Sequence, residues 1–164
     1  MGSRSSLFVH STKTKAGIFQ ILATEQGLTG INFPGRHISV SSPHFFSPKA
    51  QKILKASAFH LKTFFNRGTY HSRKIPVNWN LFGPFEKQVL KTLQRIPSGK
   101  TISYSALARR SGHPRAARAV GNALNRNPIP ILIPCHRVIH KDGSLGKYRG
   151  GSKWKQKLLT LELK

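Results

Sequence analysis

Short apolar runs separated by turn residues open the chain: Leu7-Phe8-Val9, then the stretch from Gly17 to Ala23, then the stretch from Leu28 to Phe33, with Glu25-Gln26-Gly27 between the last two. Runs of this length bounded by turn residues predict adjoining β-strands, the last two joined as a hairpin. The period then changes. Between Pro48 and Asn66, residues Ile53, Leu54, Ala58, Leu61, Phe64 and Phe65 recur every three to four positions, which predicts an amphipathic helix stopped by Asn66-Arg67-Gly68. Thr69 to Trp79 reads as extended, with Pro76 limiting helix.

A second helical period starts after Gly83-Pro84, where Phe85, Val89, Leu90, Leu93 and Ile96 share a face before Pro97-Ser98-Gly99. The change of pattern divides the chain into residues 1–80, an α/β unit with its linker, and residues 81–164, a mostly α unit. Ser103 is placed to cap a further helix through Tyr104, Leu107 and Ala108, which Ser111-Gly112 ends. Pro114 suits the first turn of a third helix of this half, from Arg115 to about Asn125.

Two helices joined by a short turn containing glycine form a helix-turn-helix candidate, although any αα corner has the same pattern. The third helix sharpens it, because Arg115, Arg118 and Arg126 alternate with Ala116, Ala117, Ala119 and Ala123. Small side chains let a backbone approach a partner closely, and arginine supplies phosphate or base contacts. The alternative is an alanine-rich helix packed in a core. Beyond it, Pro128, Pro130 and Pro134 exclude an ordinary helix over residues 127–140, which therefore reads as extended. Lys141 to Ser144 reads as a turn, residues 146–151 as a glycine-rich loop and Trp154 to Leu163 as a closing helix.

Charge narrows the class of partner. Lys and Arg number 28 against 4 Asp and Glu, a formal charge of +24. Residues 1–80 hold 11 basic and 1 acidic residue and residues 81–164 hold 17 and 3, so the excess is no appended tail. A polyanion is the expected partner, nucleic acid before an anionic membrane surface. No apolar run approaches the roughly 20 residues needed to span a bilayer, and the start lacks the apolar core of a signal peptide, so a soluble intracellular protein is expected. One Cys fits a reducing compartment and excludes zinc sites built from several thiolates. The 8 His form no HxH or HExxH pair, so no metal site is expected.

That single cysteine, Cys135, is followed directly by His136. Alone, such a cysteine is better explained as a small buried hydrophobe than as a nucleophile. Its surroundings add more: the stretch from Ile129 through Pro134-Cys135-His136-Arg137-Val138 resembles the active-site segment of the O6-alkylguanine-DNA alkyltransferases, whose PCHRV signature is intact here. Ile102-Ser103-Tyr104, the stretch from Ala116 to Gly121, Asn127-Pro128, Gly146, Tyr148 and Gly150-Gly151 fall in the same register, which covers about Phe85 to Glu162.

The resemblance implies a ribonuclease-H-like α/β first domain supporting a DNA-binding second one. It implies a protein that moves an alkyl group from O6-alkylguanine, and also O4-alkylthymine, in duplex DNA onto Cys135, once and irreversibly, without a cofactor. His136 would be the base acting through a water, Glu162 would orient it, Tyr104 would donate to the guanine ring, and Asn127 would tie the recognition helix to the active segment. Val138, Tyr148 and the backbone of Arg149 would line the base pocket. Arg115, Ala116, Ala117, Arg118 and Arg126 would meet DNA in the minor groove, with Arg118 filling the space of the flipped base.

Departures from the pattern are Arg149 in place of a small residue, Lys157 in place of an aromatic one, and Lys100 and Ser105 in place of acids. A monomer is expected, with cooperativity along DNA open; the compartment would be the nucleoid or cytoplasm of a prokaryote or the nucleus of a eukaryote. The rival readings are a lesion binder that does not transfer, which would lack the acceptor cysteine, a helix-turn-helix regulator, and a Cys-His-Glu hydrolase, against which the basic charge argues.

Overall fold

The structure, a computed structural model, describes residues 6–39, 47–69 and 75–163. Strands β1 (Phe8–Thr14), β2 (Gly17–Thr24) and β3 (Gly27–Asn32) form an antiparallel meander in that order. The hairpin expected between the last two strands is present, and β1–β2 is a second one. β1 runs further than its apolar triplet, because Thr12, Lys13 and Thr14 pair with Phe19, Ile18 and Gly17 of β2. Backbone pairing extends a strand over residues whose side chains carry no apolar signal.

Helix α1 (Pro48–Arg67) covers the sheet. Ser47 caps it by accepting from the Ala50 amide at 3.2 Å, Pro48 occupies the first turn, and Ile53, Leu54, Leu61, Phe64 and Phe65 form the buried face. Gly68 ends it at φ 70°, and a Cβ there would lie 2.1 Å from the Leu161 carbonyl oxygen, so only glycine permits this approach. Of the stretch expected to be extended from Thr69 to Trp79, residues 70–74 lie outside the described residues. Val77 bridges Leu28 at the edge of β3, whereas Trp79 begins a 3-10 turn (Trp79–Leu81) that Asn78 caps.

The second half holds α2 (Pro84–Leu93), β4 (Ile102–Ser103), α3 (Tyr104–Arg110), α4 (Ala117–Asn125), β5 (Val138–Ile139), parallel to β4, and α5 (Ser152–Glu162). α4 packs on both α2 and α3. Ser103 does cap α3, accepting from the Ala106 amide at 3.2 Å. Two expectations fail here. α4 starts at Ala117 rather than Arg115: the Ala116 amide bonds the His113 carbonyl, closing a turn that holds Pro114 and Arg115 outside the helix. The Cys-His pair lies not on an extended strand but on a 3-10 turn (Cys135–Arg137), which the Arg137 amide closes onto the Pro134 carbonyl at 3.0 Å.

One hydrophobic cluster runs through both halves. Phe19, Phe33 and Phe65 surround Trp154 of α5, with ring centroids 5.7, 4.8 and 6.5 Å away. The Ile31 amide bonds the Pro128 carbonyl at 2.9 Å, and Phe64 packs against His136 at 6.0 Å. Phe64→Ala should therefore lower stability by about 3–5 kcal/mol, read by urea denaturation, as for other fully buried aromatic residues.

Candidate active site

The chain reaches Cys135 through a constrained segment. Asn127 is fully buried; its Oδ1 accepts from the Ile129 amide at 3.0 Å, and its Nδ2 lies 3.0 Å from the Ile133 carbonyl and 3.2 Å from Cys135 Sγ. Ile131 between them takes φ 71°, the one non-glycine residue with positive φ among those described. Such strain persists only where surrounding contacts over-determine it, and Asn127 supplies them.

Cys135 is 4 % exposed. Burial pushes its thiol up, opposed by the hydrogen bond from Asn127 and by the charge of Lys155. His136 is fully buried and lies 2.9 Å through Nε2 from Glu162 Oε1, while its Nδ1 is buried without a hydrogen-bond partner. Burial pulls the imidazole below its ordinary range, more than Glu162 raises it. A neutral ring whose Nε2–H faces a carboxylate leaves Nδ1 as the proton acceptor.

Glu162 is held from three sides. Arg137 reaches both of its oxygens, Nε at 3.0 and 3.1 Å and Nη2 at 2.7 Å, and the Gly99 amide donates to Oε2 at 3.1 Å. Burial would raise this carboxylate, but the bonds from His136 and Arg137 hold it below its usual range. Arg137 also binds Ser98 Oγ at 2.8 Å and the Ile96 carbonyl. It thereby ties the active turn to the end of α2.

Tyr104, the first residue of α3, is half-buried, and burial, then the charge of Cys135, raises its phenol. Its ring lies 5.1 Å from that of His140, and both approach Gly146, where a Cβ would be 2.7 Å from Tyr104 Oη and 2.8 Å from His140 Nε2 at φ 68°. A cavity of about 470 Å³ beside it is lined by Ala117, Arg118, Gly121, Asn122, Asn125, His140 and Lys147. A neighbouring one of about 530 Å³ includes Tyr148, whose ring stands edge-on to Phe33 at 6.1 Å.

Residues 84–164 match the family profile described as the DNA binding domain of 6-O-methylguanine DNA methyltransferase. Over 153 residues the chain is 50 % identical to the methylated-DNA–protein-cysteine methyltransferase of Methanosarcina acetivorans, covering 89 % of this chain and 92 % of that one. The chain belongs to this family. The mouse protein of the same name is 56 % identical over 68 residues, 41 % of this chain and 32 % of the mouse protein, so the match spans only about a third of that relative. Among solved structures, the Mycobacterium tuberculosis OGT in complex with DNA has a TM-score of 0.74 at 32 % identity, covering 94 % of this chain and 92 % of that one.

The structure gathers Cys135, His136, Glu162 and Asn127 around one buried turn, with Tyr104 at its edge. Val138 is fully buried in β5, and its carbonyl accepts from Lys155 Nζ at 2.6 Å. Ala116, Ala117 and Arg118 lie at the start of α4, Ala116 as its N-cap, with Arg115 exposed on the turn before it. Two side chains turn elsewhere. Arg126 pairs with Glu86 of α2 at 2.7 Å, and Arg149 Nη1 reaches the Asn127 carbonyl at 3.2 Å.

Sequence reading missed Lys155 and Arg137 as working residues. Lys155 is fully buried on α5, donates to the Val138 and Leu145 carbonyls, and is pulled by burial down to about 8, against the charge of Cys135. Its signal was present: Lys155, Leu158 and Glu162 fall on one helix face at spacings of three and four. Asn122 and Asn125, four and seven positions after Arg118, gave the same kind of signal for the cavity.

Two measurements follow. Because the folded pKa of His136 lies below its ordinary 6.5, the unfolded chain binds a proton that the native one refuses; stability should be full above that pH and decline as pH falls through it. Glu162, also depressed, adds loss in the same direction below about 4.5. Urea midpoints taken from pH 7.5 down to 5 should show the His136 slope, and His136→Asn should flatten it. Glu162→Gln leaves Arg137 buried and uncompensated, and should cost about 3–5 kcal/mol at neutral pH by the same assay.

Proposed function

We propose that this protein repairs DNA by taking the alkyl group of O6-alkylguanine in duplex DNA onto Cys135. The observation that carries the reading is the unpartnered Nδ1 of a buried, neutral His136 whose other nitrogen is fixed by Glu162, one residue from the chain's sole thiol. A buried thiol needs a base, and this one is oriented and has an open acceptor.

In this reading the thiol proton passes through a water to His136 Nδ1, and Glu162 stabilises the imidazolium that forms. Cys135 Sγ then attacks the alkyl carbon. The new S–C bond replaces the C–O6 bond, whose electron pair stays on guanine. Tyr104, whose burial keeps its proton on the phenol, donates to the ring and makes the base a better leaving group. Asn127 fixes the sulfur at 3.2 Å, and the Lys155 ammonium favours the thiolate. A thioether is a poor leaving group, so each molecule acts once, and no metal or cofactor is called for.

The target oxygen lies inside the duplex, so the base must be turned out of the stack. We read α3 and α4 as a helix-turn-helix that enters the minor groove with Ala116 and Ala117 facing the backbone and Arg118, on the cavity rim, filling the vacated space. Val138, Tyr148 and the Arg149 backbone then contact guanine, and O4-alkylthymine would use the same route. The meander with α1 is read as a ribonuclease-H-like supporting unit, residues 1–80, beside a transfer unit, residues 81–164. The protein is read as an intracellular monomer on DNA.

Intact-mass spectrometry after incubation with duplex containing O6-methylguanine should show one methyl per chain, on the peptide holding Cys135. Cys135→Ala should gain none, and His136→Asn should react on the order of 10²–10⁴-fold more slowly. Methyl gain by the alanine variant, or none by the native chain, refutes the reading.

A further inference from the structure

Among the described residues, helix α1 presents a strongly charged surface that the site does not use. On α1 the exposed positions are Pro48, Lys49, Lys52, Lys55, Phe59, Lys62, Asn66 and Arg67; from Lys49 to Asn66 they are spaced by three and four, so they form one stripe on the side opposite the sheet. The helix contains no acid. At about 1.5 Å per residue, Lys49 to Lys62 spans about 20 Å, which covers many duplex phosphates at roughly one charge per 1.7 Å of axis.

The four acids of the chain lie elsewhere or at the stripe's end. Glu86 holds Arg126, Asp142 caps the turn at Ser144, Glu162 is buried, and Glu25 accepts from Ser47 at the start of α1. None of the described ion pairs includes a residue of α1. Phe59, 65 % exposed, sits mid-stripe between Lys55 and Lys62. Among amines, an exposed ring has a use against the sugar edges of a groove and none against bulk water.

Building on the DNA-repair reading, we propose that this face of α1 is a second contact for duplex DNA, gripping the phosphates of a segment other than the one presented to Tyr104 and Cys135. α1 packs on the sheet and α5, whereas α4 packs on α2 and α3, so the two basic surfaces are carried by elements that share no packing partner in these contacts. A protein built this way hands itself from one duplex segment to another without complete release.

The test uses the full chain with an excess of a short, undamaged duplex at low salt, read by analytical ultracentrifugation. The native protein should carry two duplexes, and K52Q/K55Q/K62Q should carry one. The second binding step of the native protein should steepen with salt by roughly one unit of slope for each of these lysines. Alkyl transfer from a short lesion duplex serves as the control for folding, and the variant should stay within about twofold of native. Saturation of the native chain at one duplex, two duplexes on the variant, or a second site that prefers single strands or anionic vesicles overturns the proposal. Loss of transfer in the native chain with two-duplex binding intact overturns the repair reading alone.

Discussion

The buried carboxylate of Glu162 is the constraint on which the site depends. Three parts of the chain meet at it: the active turn through His136 and Arg137, the bend after α2 through Gly99, and α5, which carries it. A buried ion pair adds little net stability, since desolvating both charges offsets most of their attraction. What it adds here is register. Both oxygens are occupied, so a shift of any of the three elements would strand a charge in the interior. The imidazole inherits that precision, and its free nitrogen is left where a proton can be received.

Around this centre the protein uses its few acids sparingly. Each sits in a local contact: a helix start, an inter-helix pair, a turn and the buried network. Among the described residues, the buried cations Lys155 and Arg137 contact the Val138 carbonyl and Glu162 beside the buried turn. Most of the remaining cations face water, and the unbalanced field of the chain is therefore a surface property.

Much of this was legible in the sequence because the signals were local. The period of α1, its stop at Gly68 and the capping Ser103 depend on neighbours a few positions away, and each was read correctly. β1 beyond Val9 could not be read, since what extends it is a partner strand. The start of α4 was misplaced because proline suits a first helical turn and an ordinary turn equally. The roles of Cys135, His136, Glu162 and Asn127 came from the resemblance to a family and not from any local pattern. Arg137 stood inside the PCHRV signature without a role, because nothing in a linear string says that residue 162 comes back to meet residue 137. Lys155 looked like one lysine among many until the fold closed over it.

The joint between the halves combines the aromatic packing around Trp154 with main-chain contacts that specify little. The Ile31 amide meets a carbonyl at Pro128, and Gly68 abuts the carbonyl of Leu161. Main-chain contacts of this kind hold whichever side chains flank them, apart from the single glycine. The first half meets the buried turn through Phe64, which packs on the His136 ring, whereas Cys135, His136, Arg137 and Glu162 all lie in the second half. The family profile likewise begins at residue 84, with the half that carries the buried turn, while the likeness in shape to the tuberculosis protein takes in the supporting half as well.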